Sequence, residues 1–298
     1  MNENIFVAGI DAGRSQLKVV MTDLSMNIRA RRVLDAPSES EEEAAAVGAE
    51  LIGAMIAEVE ADISNVKAIG IGAPNNDSRA MRELIGSKLG ISAFSANDAA
   101  CAAFGEKALN KDVSAENTLF IYSDTGCGIV ARDDIYFGAN GSAGGVHVAG
   151  DDANSQYLKP WGRDMGLAEL ARKEAAKGVG TKMVELAGWD VKGITKDTVI
   201  AAARANDDVA ADIISYAGRN LGMRIAYLVN LFNPEIVFIG GGLEKAGDLM
   251  LNPIRETVGK LAFAGPAGMV KILPSSLGEE AVSLGAASLA ARELFIRA

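Results

Sequence analysis

One short pattern, used twice, limits what this chain can become. An apolar β-rich run at residues 4–10 meets Asp11-Ala12-Gly13-Arg14-Ser15 and continues into a second strand-like run at 17–21. Far along the chain, residues 119–122 meet Asp124-Thr125-Gly126-Cys127-Gly128 and continue into 129–131. Strand, Asp-x-Gly turn, strand is a hairpin signature. Glycine in such a turn lets backbone N–H groups approach an anion with no Cβ in the way. The Ser15 hydroxyl can donate to a phosphate oxygen. A carboxylate beside phosphates repels them unless a cation lies between, so Asp11 and Asp124 read as ligands of hydrated Mg²⁺. Each turn alone is compatible with an ordinary hairpin; the pair reads as a phosphate clamp. Gly240-Gly241-Gly242, between a strand and a helix, is a third point of close backbone approach. It suits an anion at a helix N-terminus or a flat base against the main chain, or it is simply a tight strand-to-helix turn.

Composition narrows the partners. The 298 residues are 49% hydrophobic and 23% charged, an ordinary globular balance and a length that suggests two domains. With 29 basic against 39 acidic residues the net charge is −10. An acidic surface repels phosphate backbones and anionic lipid, and 5% aromatics leave few platforms for stacked bases. No nucleic-acid partner and no membrane partner is expected, and no apolar run reaches the ~18 residues of a membrane span. Met1-Asn2-Glu3-Asn4 carries no basic segment, so no signal peptide is expected and the cytoplasm is the expected compartment. Two cysteines, Cys101 and Cys127, cannot by themselves build a disulfide framework or a zinc cage.

Periodicity predicts helices over 41–61, 79–89, 97–108, 207–232, 245–260 and 279–297. In the long helix, Ile213, Ile214, Ala217, Leu221, Ile225, Leu228 and Phe232 form one apolar face. Strands are predicted at 28–34, 68–71, 91–95, 135–137, 235–239 and 269–273, with an acidic turn at Asp133-Asp134 and loop over 138–163. The polar stretch 110–117 is the boundary candidate, giving an α/β lobe of residues 1–115 and a second α/β lobe of residues 116–278.

The order of motifs resembles the ROK family of sugar kinases and sugar-responsive repressors, within the sugar kinase, Hsp70 and actin superfamily. The matching stretches are Gly9-Ile10-Asp11-Ala12-Gly13, Ala96-Asn97-Asp98-Ala99-Ala100, Gly138-Ala139-Asn140-Gly141-Ser142-Ala143-Gly144, Asn233-Pro234-Glu235 through Gly242, and Leu284-Gly285-Ala286-Ala287. They cover nearly the whole chain in the family's order. The resemblance implies an α/β, two-lobed ribonuclease H-like fold with an ATP cleft between the lobes, and a terminal helix, 279–298, packed back on the first lobe. It implies ATP and Mg²⁺ as cofactors and Asp98 as the general base that takes the proton from the attacking sugar hydroxyl. Asn97, Asn75, Asn140 and His147 would hold the substrate. Asp11, Gly13, Ser15, Thr125, Gly126, Gly128, Gly240, Gly241 and Gly242 would hold ATP, with Asp11 and Asp124 on the metal. Family members are commonly dimers or tetramers, so a homo-oligomer, a dimer, is expected. The residues themselves agree with the base assignment, because phosphoryl transfer is mostly positioning and charge neutralisation. They equally allow Asn97 to cap the next helix and Asp98 to complement its dipole, and both can hold at once.

Departures from the family pattern bear on the substrate. Arg14 and Ser15 stand where a second glycine and a threonine are usual, and Asp124 puts an acid in a loop that normally lacks one. Gly144-Gly145-Val146-His147-Val148 lacks the Glu of the family's Gly-Glu-x-Gly-His segment and brings His147, the only histidine, one residue early. Asp151 and Asp152 are candidates to replace that Glu, or a solvated acidic loop. Trp161-Gly162-Arg163-Asp164 takes the place of the cysteine-rich zinc motif, so no zinc is expected. The loop after Gly72-Ala73-Pro74-Asn75 is short, and together these departures argue against a plain hexose such as glucose. The expectation is an ATP-dependent kinase for a sugar or sugar-like polyol. The alternative is a catalytically degenerate sugar-sensing or regulatory protein. A redox-enzyme-activating ATPase would need an iron–sulfur cluster shared between subunits through Cys101 or Cys127.

Overall fold

The computed structural model describes residues 5–13, 16–35, 40–74, 79–110, 113–122, 126–145 and 166–297. The fold is mixed α/β with two five-stranded sheets. Two compact units divide the chain: Met1–Ile121, Thr125–Val146 and Ser275–Ala298 form one, Tyr122–Asp124 and His147–Pro274 the other.

In the first unit, β1 (Phe6–Ala12), β2 (Gln16–Asp23) and β3 (Ile28–Asp35) form an antiparallel meander. Its register sets Ile10 opposite Val19 and Asp11 opposite Lys18. β4 (Val66–Ala73) pairs with β1 in parallel and β5 (Ser92–Asn97) with β4, so the order is β3-β2-β1-β4-β5. Parallel neighbours need crossovers. These are α1 (Glu41–Glu58), capped by Ser40, and α2 (Arg79–Leu89).

Alternation along β1 separates two faces. Phe6, Ala8 and Ile10 enter the main core with Leu17, Val19, Met21, Ile52, Met55, Met81 and Ile85. Val7, Gly9 and Asp11 take the other face, where Val7 and Ala68 pack on Ala287, Ala290 and Ala291 of α10 (Ala281–Arg297). Contact on that face is backbone to backbone. A Cβ on Gly9 would overlap the Ser283 carbonyl oxygen, and one on Gly70 the Ala286 carbonyl oxygen. α3 (Asp98–Leu109) lies against the far side of α10, where Gly285 meets the Cys101 carbonyl. Gly128 of β7 (Gly126–Ala131) meets the Ala99 carbonyl in the same way. The hairpin after residue 115 groups with the first unit through this contact of β7 with α3.

The far end of α3 is tied down by Glu106, whose buried carboxylate accepts from Ser275 Oγ (2.6 Å), Ser276 N (2.8 Å), Ser276 Oγ (2.7 Å) and Leu277 N (3.1 Å). A buried carboxylate is tolerable because its lone pairs are met by donors.

The second sheet runs β10-β9-β6-β7-β8, with β6 at Thr118–Tyr122 and β8 at Asp134–Ile135. The turn between β7 and β8 falls on Arg132 and Asp133, one residue earlier than expected, and β8 ends at Ile135 rather than 137. Both turn residues have positive φ, 54° and 67°, as a two-residue hairpin needs to match the strands' right-handed twist.

The second unit is mainly helical: α4 (Leu167–Ala175), α5 (Lys182–Leu186), α6 (Lys196–Arg204), α7 (Asp208–Phe232), β9 (Ile236–Ile239), α8 (Asp248–Leu261), α9 (Ala264–Met269) and β10 (Lys271–Pro274), with β9 and β10 parallel. Gly218 and Gly222 of α7 let α8 approach, since a Cβ there would meet Met250 O at 2.9 Å and Thr257 Cβ at 2.7 Å. Of the predicted apolar face of α7, Phe232 is exposed at the helix end, while the other six residues are buried. α9 is a helix where the sequence suggests none. Pro266 sits in its first turn, where a missing N–H costs nothing, and β10 therefore starts later than 269.

These contacts predict opposite effects for two glycines. Gly70→Ala is expected to destabilise the protein by several kcal/mol, because backbone has to move. Gly53→Ala, on an exposed helix position with nothing within 4 Å, is expected to stabilise it by about 0.5–1 kcal/mol. Urea unfolding of both variants checks the pair.

Candidate active site

β1, β4 and β5 run parallel, and the C-terminal ends of parallel strands are where such sheets collect ligands. Asp11 stands at that end of β1. Asp98 follows Asn97, the last residue of β5, and opens α3. Both carboxylates are buried, at 4% and 2% exposure. Burial pushes the Asp11 carboxyl up to about 7; Lys18, its cross-strand neighbour, pulls it down, and the charge of Asp98 pushes it up. Lys18 Nζ also donates to the Glu279 carbonyl at 3.3 Å.

The head of α3 is capped by Asn97 and Asp98, which the resemblance assigns to substrate binding and to catalysis. Asn97 Oδ1 accepts from Ala99 N at 3.0 Å and Ala100 N at 3.4 Å, and Asp98 Oδ1 accepts from Ala99 N at 2.6 Å. Capping fixes both side chains at the positive end of the helix, where a carboxylate is favoured. Cys101, one turn on, is fully buried against Gly72 of β4, where a Cβ would come within 3.3 Å of its sulfur. Burial first, then the charges of Asp98 and Asp11, push its thiol far up. Burial pushes Cys127 up to about 12. Both thiols are free and buried, which does not suit a cluster shared across a subunit surface.

The second glycine turn is laced to the segment that follows β8. Cys127 N donates to Gly144 O at 2.9 Å, Ala143 N to Phe137 O at 3.1 Å, and Ser142 N to Asn140 Oδ1 at 3.3 Å. Gly126 and Gly144 have φ of +130° and +90°, which only glycine adopts at ease. Gly128 turns its Cα toward the Ala99 carbonyl, so packing alone accounts for glycine there. Asn140 is exposed.

In the second unit, Gly240-Gly241-Gly242 leads into a single 3-10 turn, Leu243–Ala246, and α8 begins only at Asp248. The triglycine is therefore not an α-helix N-terminus, because Gly242 N is taken by Glu244 Oε2 at 2.8 Å and Gly247 breaks the chain direction. Lys196 Nζ donates to Gly241 O at 2.7 Å, which places a cation and a carboxylate beside these glycines. Burial raises the Glu244 carboxyl.

Ser15, Arg14, Asn75, Asp124, Thr125, His147, Asp151, Asp152 and Trp161 to Asp164 lie outside the described residues. Of the predicted set, the structure brings Asp11, Asn97 and Asp98 together in the first unit. Sequence reasoning missed Lys18, although the hairpin register pairs it with Asp11, and missed Lys196 and Glu244, which only folding brings to the triglycine. Asp11 suits a divalent cation that keeps its waters and is held by one or two carboxylates plus phosphate. No group of three or more His, Cys, Asp or Glu is gathered among the described residues.

In metal-free protein the Asp11 carboxyl titrates near 7 when folded and near ~4 when unfolded. Between those values the folded chain holds the extra proton. This group's stabilisation is therefore complete below about 4 and is lost as pH rises through 7. Asp11→Asn should raise the melting temperature at pH ~8 and leave it unchanged at pH ~4. Thermal unfolding in chelator at both pH values tests this, and an equal gain at both contradicts it.

The ROK family model matches residues 74–293. A glucokinase of Halalkalibacterium halodurans is 32% identical over 201 residues, 63% of this chain and 60% of that one. A putative xylose repressor of Caldicellulosiruptor sp. is 32% identical over 219 residues, 70% of this chain and 54% of that one. The chain thus spans little more than half the length of these relatives. A ROK family glucokinase from Streptomyces griseus, solved in complex with glucose and AMPPNP, superposes with a TM-score of 0.81 at 24% identity, covering 96% of this chain and 99% of that one. Among the described residues no helix is long and apolar enough to cross a membrane. With a match that takes in the cap at Asn97-Asp98, the triglycine and most of α10, the chain belongs to the ROK family.

Proposed function

We propose that the chain is an ATP-dependent kinase that phosphorylates a hydroxyl of a sugar or sugar-like polyol. The observation that carries this reading is the Asp98 carboxylate, buried at the capped head of α3 and close enough to Asp11 for the two charges to interact. Two carboxylates held together out of water cost stability, so their retention suits a site that meets a cation and a proton in use. Asp98 accepts the proton of the attacking hydroxyl and so orients it. Asn97 spends its carbonyl oxygen on the helix cap, which leaves its amide N–H groups to hold a neighbouring substrate hydroxyl. Asn75, Asn140 and His147 complete the substrate side. Asp11 and Asp124 hold Mg²⁺, which when bound neutralises phosphate charge. Gly13, Ser15, Thr125, Gly126 and Gly240 to Gly242 hold ATP, while Gly128 packs on the Ala99 carbonyl beneath that turn. Lys18 keeps the Asp11 carboxyl ionisable. The reading assigns no zinc, and it places the protein in the cytoplasm, with its supply of ATP.

A second reading is favoured by two observations. The repressor relative matches at the same 32% identity as the glucokinase, and the sugar-gripping Glu is absent from the segment around His147. On that reading the chain senses a sugar without phosphorylating it.

A panel of sugars and polyols with Mg-ATP separates the two. Turnover on any of them is expected, and Asp98→Asn is expected to reduce it at least ~10²-fold with the helix cap intact. Full turnover in Asp98→Asn refutes the base assignment. Sugar binding without turnover across the panel supports the sensor.

A further inference from the structure

Resting on the kinase reading above, we propose that Lys196 and Glu244 are positioning residues for the nucleotide: they pin the Gly241–Gly242 peptide so that its flat face is set to receive the base. Gly241 and Gly242 follow β9 with φ of +67° and +88°. Lys196 Nζ donates to Gly241 O at 2.7 Å, and Gly242 N donates to Glu244 Oε2 at 2.8 Å. That carbonyl and that N–H belong to one peptide group. In a trans peptide they point in opposite directions within one plane. Partners on both edges fix the plane and do not cover its faces.

The surroundings agree. Among the described residues, a Cβ on Gly242 would have only Lys196 within 4 Å, its Nζ at 2.7 Å and its Cε at 3.0 Å. Glycine there makes room for the ammonium. Lys196 is the first residue of α6, whose cap is Thr195. A cation at that end opposes the helix dipole, so the helix itself gives no reason for it. The Gly241 carbonyl, 45 residues further along the chain, does. Two more contacts brace α6 against the same turn: Lys245 Nζ lies 3.6 Å from Asp197 Oδ1, and Arg204 donates to the Lys245 carbonyl.

The chemistry selects the base rather than the phosphates. A phosphate at this peptide would find the Gly242 N–H taken and the Glu244 carboxylate facing it. An uncharged flat ring needs neither group and gains dispersion contact with the peptide face. Pinning matters because glycine has more conformational freedom to lose than any other residue. Fixing two in succession before the ligand arrives lowers the cost of binding.

Titration calorimetry of the full chain with AMPPNP and with ADP, each with Mg²⁺, tests the two residues. The wild type is expected to bind both. Lys196→Met and Glu244→Leu are each expected to weaken binding about 10-fold, by the same factor for either ligand, because the base is common to both. Glu244→Gln, whose amide oxygen still accepts from Gly242 N, should keep the wild-type affinity. Electrostatics alone predicts opposite signs: loss of a cation weakens an anionic ligand and loss of an acid strengthens it. Tighter binding by Glu244→Leu therefore overturns the proposal. So does a Lys196→Met loss that is larger for AMPPNP than for ADP, and so do unchanged affinities in both variants. A wild type that binds neither nucleotide removes the kinase reading itself, and this proposal with it. If Glu244→Leu does not fold, Lys196→Met decides, by whether its loss is equal for the two ligands.

Discussion

Backbone contact without intervening side chains, between α10 and the strands beneath it, is the constraint on which the first unit depends. Gly9 and Gly70 meet the Ser283 and Ala286 carbonyls, and Gly285 meets that of Cys101 on the other side of α10. Interiors pack at crystal-like density, and here the density is reached by removing side chains rather than interlocking them. Glycine inside strands and helices weakens them locally, so its placement at these facing positions has a specific effect. It draws α3 down until its first turn stands at the ends of the parallel strands. Asp98 and Asp11 are near one another because of carbonyl contacts at some remove from either carboxylate.

That arrangement sets the electrostatics of the site. A carboxylate at the end of a buried strand loses its water, and a second one at the adjacent helix terminus adds repulsion. The fold answers in part with Lys18, in register opposite Asp11, and with the N–H groups at the head of α3. What remains is a site that favours a cation or a proton. Such residual cost is typical of functional positions, where local rules are broken while the rest of the structure stays consistent. Glu106 shows the contrasting solution: an equally buried carboxylate with donors on both oxygens, whose role is to tie the start of the α10 segment to α3.

Legibility in the sequence followed how local the cause was. α2 reads directly from periodicity and the meander from its turn signals, because both depend on neighbours within a few residues. α9 did not, because Gly265, Pro266 and Gly268 look like turn residues until Pro266 is seen in a first turn. A helix N-terminus is one of the readings the sequence leaves open for the triglycine, beside a surface for a flat base and a tight turn, because strand, glycines and helix follow in order. Only the fold shows that Glu244 takes the Gly242 N–H and delays the helix to Asp248. Phe232 continues the spacing of the α7 face, yet it lies exposed where the helix ends.

By itself the sequence determined the class of fold, the Asp-x-Gly hairpin at Asp11 and the cap at Asn97-Asp98. The hairpin and the cap are short-range patterns whose physics is complete within one or two turns of chain, and the fold class follows from the order of such patterns along it. Tertiary structure alone decided that Asp11 and Asp98 share one buried end of a sheet, that Lys18 faces the former, and that Gly128 serves packing. These are relations between residues far apart in the chain. They are set by strand order and by how closely backbones approach, and no local pattern encodes such distances.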